Sequence, residues 1–165
     1  MTLEEHTRKI VQMHPLAKNV ASQLAKKVKE DNLTVQFGDV LEFKDVFFAK
    51  VDLKCVTLEE FIEGEFVKYI NNTGEVCVSD DNMLGQKAQC LSHFSYEKSN
   101  GELMILDLQG SSHILFDPEI ATSDLKKDEE ILFCDGNLTN SAIAKFISGH
   151  SCNVFCQLIG LQKLS

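Results

Sequence analysis

The chain has 165 residues, 44% of them hydrophobic and 25% charged, with a formal net charge of −9. These proportions are ordinary for one globular domain and exclude disordered and collagen-like proteins. No apolar run approaches the ~20 residues that a membrane helix needs. The start of the chain also lacks the basic stretch followed by an apolar stretch that marks a secretory signal. We therefore expect a cytoplasmic protein without a membrane segment.

The charge is spread unevenly along the chain. Residues 1–30 carry six Lys and Arg against three Asp and Glu, whereas the other residues carry 10 Lys and Arg against 22 Asp and Glu. Nucleic-acid binding draws on clustered Lys and Arg, so we expect no nucleic-acid partner. The six cysteines, in a chain without an export signal, favour thiols or metal ligands over disulfides.

The first third of the chain predicts one helix and one strand. Apolar side chains recur at three- and four-residue spacings over residues 10–28, which is typical of an amphipathic helix. Pro15 predicts a kink or a restart near the first turns of this helix. Residues 49–55 alternate between apolar and charged side chains, and this period of two predicts a half-buried strand.

The rest of the chain mixes the two kinds of element. Helical spacing returns over residues 84–94, and the short apolar run 103–106 predicts a buried strand. Apolar residues between 143 and 147 form one face of a last helix, for which Asn140 and Ser141 are the candidate N-caps. Because helices and strands do not alternate strictly, we expect an α+β fold.

One imidazole and two thiols lie close together near the C-terminus, at His150, Cys152 and Cys156. These soft ligands suit Zn²⁺, which binds four ligands in a tetrahedron. His93 is a candidate for the fourth, because it follows the predicted helix 84–92. Spacing alone leaves two interpretations open, a closed structural zinc site and a pair of buried free cysteines.

A second set of polar residues follows the predicted buried strand. Asp107 ends that strand, Gln109 comes two residues later and Asp117 ten residues later. Oxygen ligands of this kind suit Mg²⁺, which takes one or two carboxylates together with substrate phosphates. Composition and spacing alone favour a plainer interpretation, in which one aspartate ends a strand and the other starts a turn.

Four glutamates fall within residues 59–65. Such a run is typical of a solvated face. Gly64 within it allows a second interpretation, a bend at which the backbone approaches a ligand.

Taken together and in this order, these segments resemble the alpha-type (atypical) protein kinase family. The similarity runs from about residue 57 to Leu161. Its matching segments are residues 61–69 with Asn71 and Asn72, His93-Phe94, residues 107–110, Asp117-Pro118, Gly136-Asn137-Leu138 and residues 150–156. The resemblance implies an atypical protein-kinase-like fold, mostly the C-terminal lobe with part of the N-terminal lobe. It also implies phosphorylation of Ser/Thr hydroxyls with ATP and Mg²⁺, and a structural Zn²⁺.

The resemblance also implies roles for individual residues. Asp107 matches the catalytic aspartate that orients or deprotonates the acceptor hydroxyl, and Gln109 and Asp117 match the Mg²⁺ ligands. The nucleotide-binding positions are the adenine hinge, with Glu59, Glu60 and Ile62, and two residues near the phosphates, Lys68 and Asn72. The four zinc ligands are His93, His150, Cys152 and Cys156.

Two departures from the family pattern bear on activity. In the family, a phosphate-covering loop and a phosphate-contacting lysine precede the helix that residues 5–29 resemble, whereas this chain starts at that helix. We therefore expect residues 1–165 to be a single alpha-type kinase domain that lacks those first strands. Thr139 stands where the family has glycine. The expected partners are ATP and a protein substrate; the alternative is an inactive, zinc-stabilised binding module that forms oligomers or binds a partner chain.

Overall fold

The computed structural model describes residues 2–123, 126–127, 130–131 and 139–165, and gives only the backbone at residues 126, 127, 130, 131 and 139. The predicted segment Gly136-Asn137-Leu138 and the side chain of Thr139 lie outside this description. The described helices are α1 (Leu3–Glu30), α2 (Thr34–Phe37), α3 (Met83–Lys98), α4 (Thr139–Gly149) and α5 (Val154–Leu158).

The described strands are short and fall into four sheets. They are β1 (Glu42–Phe43), β2 (Val46–Val51), β3 (Lys54–Glu59), β4 (Val67–Lys68), β5 (Leu103–Leu106), β6 (Gln109–Ser111), β7 (Ile114–Phe116), β8 (Glu119–Thr122), β9 (Lys126–Lys127) and β10 (Glu130–Ile131). One sheet has the order β1-β7-β6-β4, and the pairs β2–β3, β5–β8 and β9–β10 form the others. The predicted α+β class is confirmed.

Helix α1 extends the predicted helix at both ends. Thr2 caps its N-terminus, because the Thr2 hydroxyl accepts from the N–H of Glu5 at 3.2 Å and the Glu5 carboxylate accepts from the N–H of Thr2 at 2.7 Å. The apolar stripe, including Ala17 and Leu24, is buried. The helix runs through Pro15 without a break, so the predicted restart is wrong; packing of the stripe offsets the hydrogen bond that proline cannot make.

The predicted single strand 49–55 is wrong, because the chain reverses direction within it. Strands β2 and β3 form an antiparallel hairpin in which Phe48 faces Thr57. Asp52 and Leu53 form the turn with φ values of 48° and 66°, as a two-residue hairpin turn requires. Leu53 is fully exposed. The alternating pattern continues across the turn, so it does not distinguish one strand from two.

Helix α3 packs on β5, and this packing positions the residues that follow the strand. The Ser92 hydroxyl donates to the carbonyl of Ile105 at 2.7 Å, and the Ser95 hydroxyl accepts from the N–H of the same residue at 2.9 Å. Met104, Ile105 and Leu106 are almost completely buried. The predicted helix 84–94 and the predicted buried strand 103–106 are therefore both confirmed.

Helices α4 and α5 close the C-terminal end of the core. Helix α4 begins at Thr139, so the two N-cap candidates, Asn140 and Ser141, lie inside its first turn and that prediction is wrong. Asn153 caps α5, because its side-chain oxygen accepts from Phe155 N at 3.0 Å, and its amide nitrogen donates to the Gln86 carbonyl of α3 at 2.8 Å. Among the described residues, no helix combines the length and the hydrophobicity needed to cross a bilayer.

Candidate functional site

Four polar residues, Lys68, Asp107, Gln109 and Asp117, meet at the edge of the four-stranded sheet. Asp107 follows β5 with a φ of 51°, a left-handed turn that leads the chain into β6. Strand β4 pairs with β6 so that Lys68 faces Gln109. The Lys68 ammonium lies 2.6 Å from Oδ1 of Asp107, and Nε2 of Gln109 donates to Oδ2 of Asp107 at 3.2 Å and to the Asp117 carbonyl at 3.3 Å. The structure therefore brings the predicted catalytic residues together.

Asp117 lies in the turn between β7 and β8, also with a left-handed φ of 51°. Although the residue as a whole is exposed, desolvation of its carboxyl by the surrounding chain raises its pKa. The negative charge of Asp107 raises this pKa further, and Lys68 lowers it. The two carboxylates thus form a site of excess negative charge, which a divalent cation would relieve.

The Asn71–Asn72 pair forms the turn beside this group. The side-chain oxygen of Asn71 accepts from the N–H and the hydroxyl of Thr73, at 3.0 and 2.8 Å, and from the N–H of Glu75 at 2.9 Å. The Asn71 carbonyl accepts from the N–H of Asp107 at 3.4 Å. Asn72, the predicted phosphate-side residue, is exposed. Asn71 thus connects the turn to Asp107, a role that sequence spacing did not indicate.

The predicted adenine hinge lies at the end of the β2–β3 hairpin. Glu59 is the last residue of β3, and Glu60 leaves the strand. Both are exposed and line a surface cavity of about 630 Å³ together with Phe47 and Leu58. Ile62 is half-buried in the irregular segment that follows. Beyond Glu59 the backbone leaves the hairpin ladder, so its N–H and C=O groups are no longer committed to strand β2.

Gly64 forms a bend in the glutamate-rich segment, with a φ of 114°. A Cβ at this position would collide with the Ser111 hydroxyl. The close approach of the backbone at this bend is therefore to strand β6, and it requires glycine. The glutamates Glu63 and Glu65 on either side are exposed, as a solvated face predicts.

The four predicted metal ligands converge between α3 and the C-terminal segment. His93 lies within α3, so the prediction that it follows that helix is wrong. His150 and Cys152 follow α4, and Cys156 lies on α5. Their ligand atoms all lie within 4.8 Å of one another. Nδ1 of His93 lies 3.2 Å from Nε2 of His150 and 3.8 Å from Sγ of Cys152, and the distance from Nε2 of His150 to Sγ of Cys156 is 3.7 Å.

These distances match the edges of a tetrahedral zinc site. Ordinary Zn–N and Zn–S bonds give N···N edges of about 3.3 Å and N···S edges of about 3.6 Å. The donor set of two imidazoles and two thiolates is also the one that Zn²⁺ prefers. Nε2 of His93 is buried and has no hydrogen-bond partner among the described residues, while its Nδ1 faces the other three ligands. The residues therefore fit a zinc ion.

Cys90 was not predicted to belong to this cluster. A hydrogen bond from Cys90, followed by hydrogen bonds from His150 and His93, lowers the pKa of the Cys156 thiol, against the effect of burial. The same hydrogen bond to Cys156 and burial raise the pKa of Cys90. Cys90 thus acts on Cys156 in the direction that favours a thiolate at Cys156, which is the form in which cysteine binds a metal.

Known proteins are similar to this chain in sequence. The sequence model of the alpha-kinase family matches residues 2–156. Myosin heavy chain kinase B of Dictyostelium discoideum is 39% identical over 126 residues, which are 76% of this chain and 16% of that kinase. Mouse eukaryotic elongation factor 2 kinase is 39% identical over 104 residues, which are 63% of this chain and 13% of that kinase.

Solved kinase domains share the fold. The C-terminally truncated alpha-kinase domain of myosin heavy chain kinase superposes with a TM-score of 0.78 at 27% identity, covering 98% of this chain and 61% of that one. The ADP complex of the myosin heavy chain kinase A domain gives 0.77 at 27% identity, covering 94% and 58%. The chain thus spans about three fifths of these domains and less than a fifth of the two full-length kinases. The family match over residues 2–156, together with this fold, shows that the chain belongs to the alpha-kinase family.

Proposed function

We propose that the chain carries the phosphoryl-transfer centre of an alpha-type protein serine/threonine kinase that uses ATP and Mg²⁺. The observation that carries this proposal is the group formed by Lys68, Asp107, Gln109 and Asp117. Lys68 and the Gln109 amide both contact the Asp107 carboxylate, and the same amide donates to the backbone carbonyl of Asp117. Phosphoryl transfer depends on positioning and on charge neutralisation more than on covalent chemistry of the protein. This group supplies both.

Asp107 is the residue that we assign to the acceptor hydroxyl. Its carboxylate is held from two sides, by Lys68 at Oδ1 and by Gln109 at Oδ2, so its direction is fixed before a substrate arrives. When the acceptor oxygen bonds to the terminal phosphorus of ATP and ADP leaves, the hydroxyl proton needs an acceptor, and an Asp107 oxygen provides it. Lys68 balances the negative charge that gathers around this carboxylate.

The amide oxygen of Gln109 and the carboxylate of Asp117 are the hard oxygen ligands that we assign to Mg²⁺. The nitrogen of the Gln109 amide already donates to two acceptors, which leaves its oxygen as the ligand atom. The raised pKa of Asp117 supports a cation here, because negative charge is in excess without one. When bound, Mg²⁺ supplies neutralisation of the phosphate oxygens.

For the nucleotide base, we assign the segment around Glu59, Glu60 and Ile62, where backbone groups leave the β2–β3 ladder. The cavity beside it is lined by Phe43, Phe47 and Leu58 and by six charged side chains. Its three apolar side chains suit a planar base. The ADP complex of the related myosin heavy chain kinase A domain supports a nucleotide as the ligand. Lys68 and the exposed Asn72 are the positions that we assign to the phosphate side.

We assign a structural zinc ion to His93, His150, Cys152 and Cys156. With four protein ligands, the ion has no open position for water or substrate, so it stabilises the fold and takes no part in transfer. It joins α3 to the segment that contains α5, and α3 in turn packs on the strand that ends before Asp107.

The test measures Mg-ATP binding by calorimetry on the zinc-loaded chain, and then transfer of labelled phosphate to a basic protein acceptor. We expect Asp107→Asn to keep ATP binding and to lower transfer at least about 10²-fold, and Asp117→Ala to weaken binding of Mg-ATP. Asp31→Asn is the matched control, because Asp31 is an exposed carboxylate at the end of α1. Transfer by Asp107→Asn at the parent rate would overturn the role of Asp107.

A second candidate function is a catalytically inactive binding module stabilised by zinc. One observation favours it: the outer face of the β2–β3 hairpin exposes apolar side chains, with Phe47 62%, Leu58 53% and Val51 52% exposed. Such a surface suits a second copy of the chain or a partner protein. ATP binding without any transfer by the parent chain supports this function, and robust transfer by the isolated chain excludes it.

A further inference from the structure

The two ring nitrogens of His150 face different groups. Nε2 points toward the other metal-ligand atoms, 3.2 Å from Nδ1 of His93 and 3.7 Å from Sγ of Cys156. Nδ1 lies 3.0 Å from Oε1 of Gln89. Gln89 is 8% exposed and lies on α3 one helical turn before His93. Helix α3 therefore supplies both the proposed ligand His93 and the residue that contacts His150.

The contact with Gln89 determines which nitrogen of His150 carries a proton. An amide oxygen only accepts hydrogen bonds, so Nδ1 must be the donor. In the neutral ring the other nitrogen, Nε2, then has its lone pair directed at the cluster. The Phe146 ring stacks on the same imidazole, with centroids 4.9 Å apart and planes 15° from parallel. The tautomer and the orientation of this ring are thus both restrained.

The other histidine of the cluster lacks such a partner. Nε2 of His93 is buried with no hydrogen bond among the described residues, and the nearest carboxylate oxygen, on Glu97, lies 3.9 Å away, beyond hydrogen-bond range. Among the described residues, the contact between Gln89 and His150 is therefore the main hydrogen bond that orients the two imidazoles.

We propose that Gln89 is a positioning residue of the zinc site, which holds His150 in the tautomer and orientation that bind the metal. The inference rests on the proposed zinc ligands and adds a residue that does not itself touch the ion. Removing an outer partner of a ligating histidine commonly weakens metal binding about 10–100-fold. We expect a loss in this range when the amide of Gln89 is removed.

The experiment compares zinc affinity among variants of the full chain, by competition with a chromophoric chelator. Gln89→Leu keeps the size of the side chain and removes the acceptor, so its zinc affinity falls about 10–100-fold. Gln89→Glu restores an acceptor oxygen and keeps the affinity close to that of the parent. Gln86→Leu is the matched control: it lies on the same helix, and its side chain donates to the Asp80 carbonyl, away from the metal ligands.

Cobalt substitution provides a second readout. The ligand-field spectrum of Co²⁺ in Gln89→Leu is expected to keep the tetrahedral two-histidine, two-thiolate form, which shows that the ligands and the fold persist and that only affinity has changed. Equal zinc affinity of Gln89→Leu and the parent would overturn the role of Gln89, as would a Gln89→Glu variant as weak as Gln89→Leu. A parent chain that binds no zinc at all would overturn the zinc site itself, and this inference with it.

Discussion

The ammonium nitrogen of Lys68 lies 2.6 Å from Oδ1 of Asp107, although 39 residues separate the two in sequence. The Lys68 side chain is 37% exposed and the Asp107 side chain 12% exposed, so solvent screens this ion pair less than it screens the pairs on α1. Pairing of β4 with β6 creates the contact, because it places Lys68 opposite Gln109, two residues after Asp107. The pair thus connects β4 to the proposed catalytic aspartate.

Replacing Lys68 by methionine is expected to lower phosphate transfer by at least about 10²-fold, because Asp107 loses the cation that orients it. The measurement is kcat/KM for transfer to a basic protein, with thermal unfolding to show that the variant is folded. Lys50→Met is the matched control, since Lys50 forms a surface ion pair with Glu4. Transfer by Lys68→Met equal to that of Lys50→Met would show that the ion pair is only structural.

Removal of zinc is expected to lower the melting temperature of the protein, and addition of zinc to restore it. Structural zinc sites contribute their binding free energy to folding, and here the ligands join α3 to the C-terminal segment. Cys152→Ser is expected to reproduce the effect of a chelator. Cys77→Ser is the control, because the exposed Cys77 thiol lies outside the cluster. A melting temperature that a chelator leaves unchanged would contradict the structural role of zinc.

Gly110→Ala is expected to lower the free energy of unfolding by about 1–3 kcal/mol. A Cβ at this position in β6 would collide with the backbone carbonyl of Ile114, and backbone within a sheet moves less readily than a side chain. Gly149→Ala provides the comparison, because nothing lies within 4 Å of a Cβ at that position. Gly149 is the last residue of α4, so this substitution is expected to stabilise the protein by about 0.4–1 kcal/mol. Chemical denaturation measures both, and two equal effects would refute the packing argument.

The buried His14 is expected to make the protein less stable as the pH falls below about 6.5. Burial and then the charge of Lys18 lower the pKa of His14 below its usual value of 6.5, while Asp45 opposes them. In the pH range between the lowered value and 6.5, the unfolded chain therefore binds more protons than the folded chain, and stability rises with pH. Below that range the contribution of His14 to the free energy of unfolding is fully lost.

Replacing His14 by phenylalanine tests this pH dependence. The variant keeps an aromatic ring next to Phe43, whose centroid lies 5.5 Å away, and we expect it to show a smaller fall in unfolding free energy between neutral and acidic pH. The histidines of the proposed zinc site are the same in both proteins, so the difference isolates His14. Identical slopes for His14→Phe and the parent would contradict the prediction.

Local patterns in the sequence predicted the main elements of the core correctly. The apolar spacing of α1 and α3 and the apolar run of β5 follow from the periods of the helix and the strand, which depend only on neighbouring residues. Residue types also indicated the candidate ligands of the proposed zinc site, because imidazoles and thiolates are the soft ligands that suit zinc. Local patterns failed where they continue across a turn, as at Asp52 and Leu53.

Only the tertiary structure decided the side-chain partners of Asp107 and His150. The contact of Lys68 with Asp107 spans 39 residues, and that of Gln89 with His150 spans 61. The strand pairing that creates the first and the packing of α3 against the C-terminal segment that creates the second depend on burial of the whole core, which no short window of sequence contains. The sequence by itself thus determined helices α1 and α3, the apolar face of α4, the buried strand β5 and the types of the candidate ligands, whereas the partners of Asp107 and His150 required the folded chain.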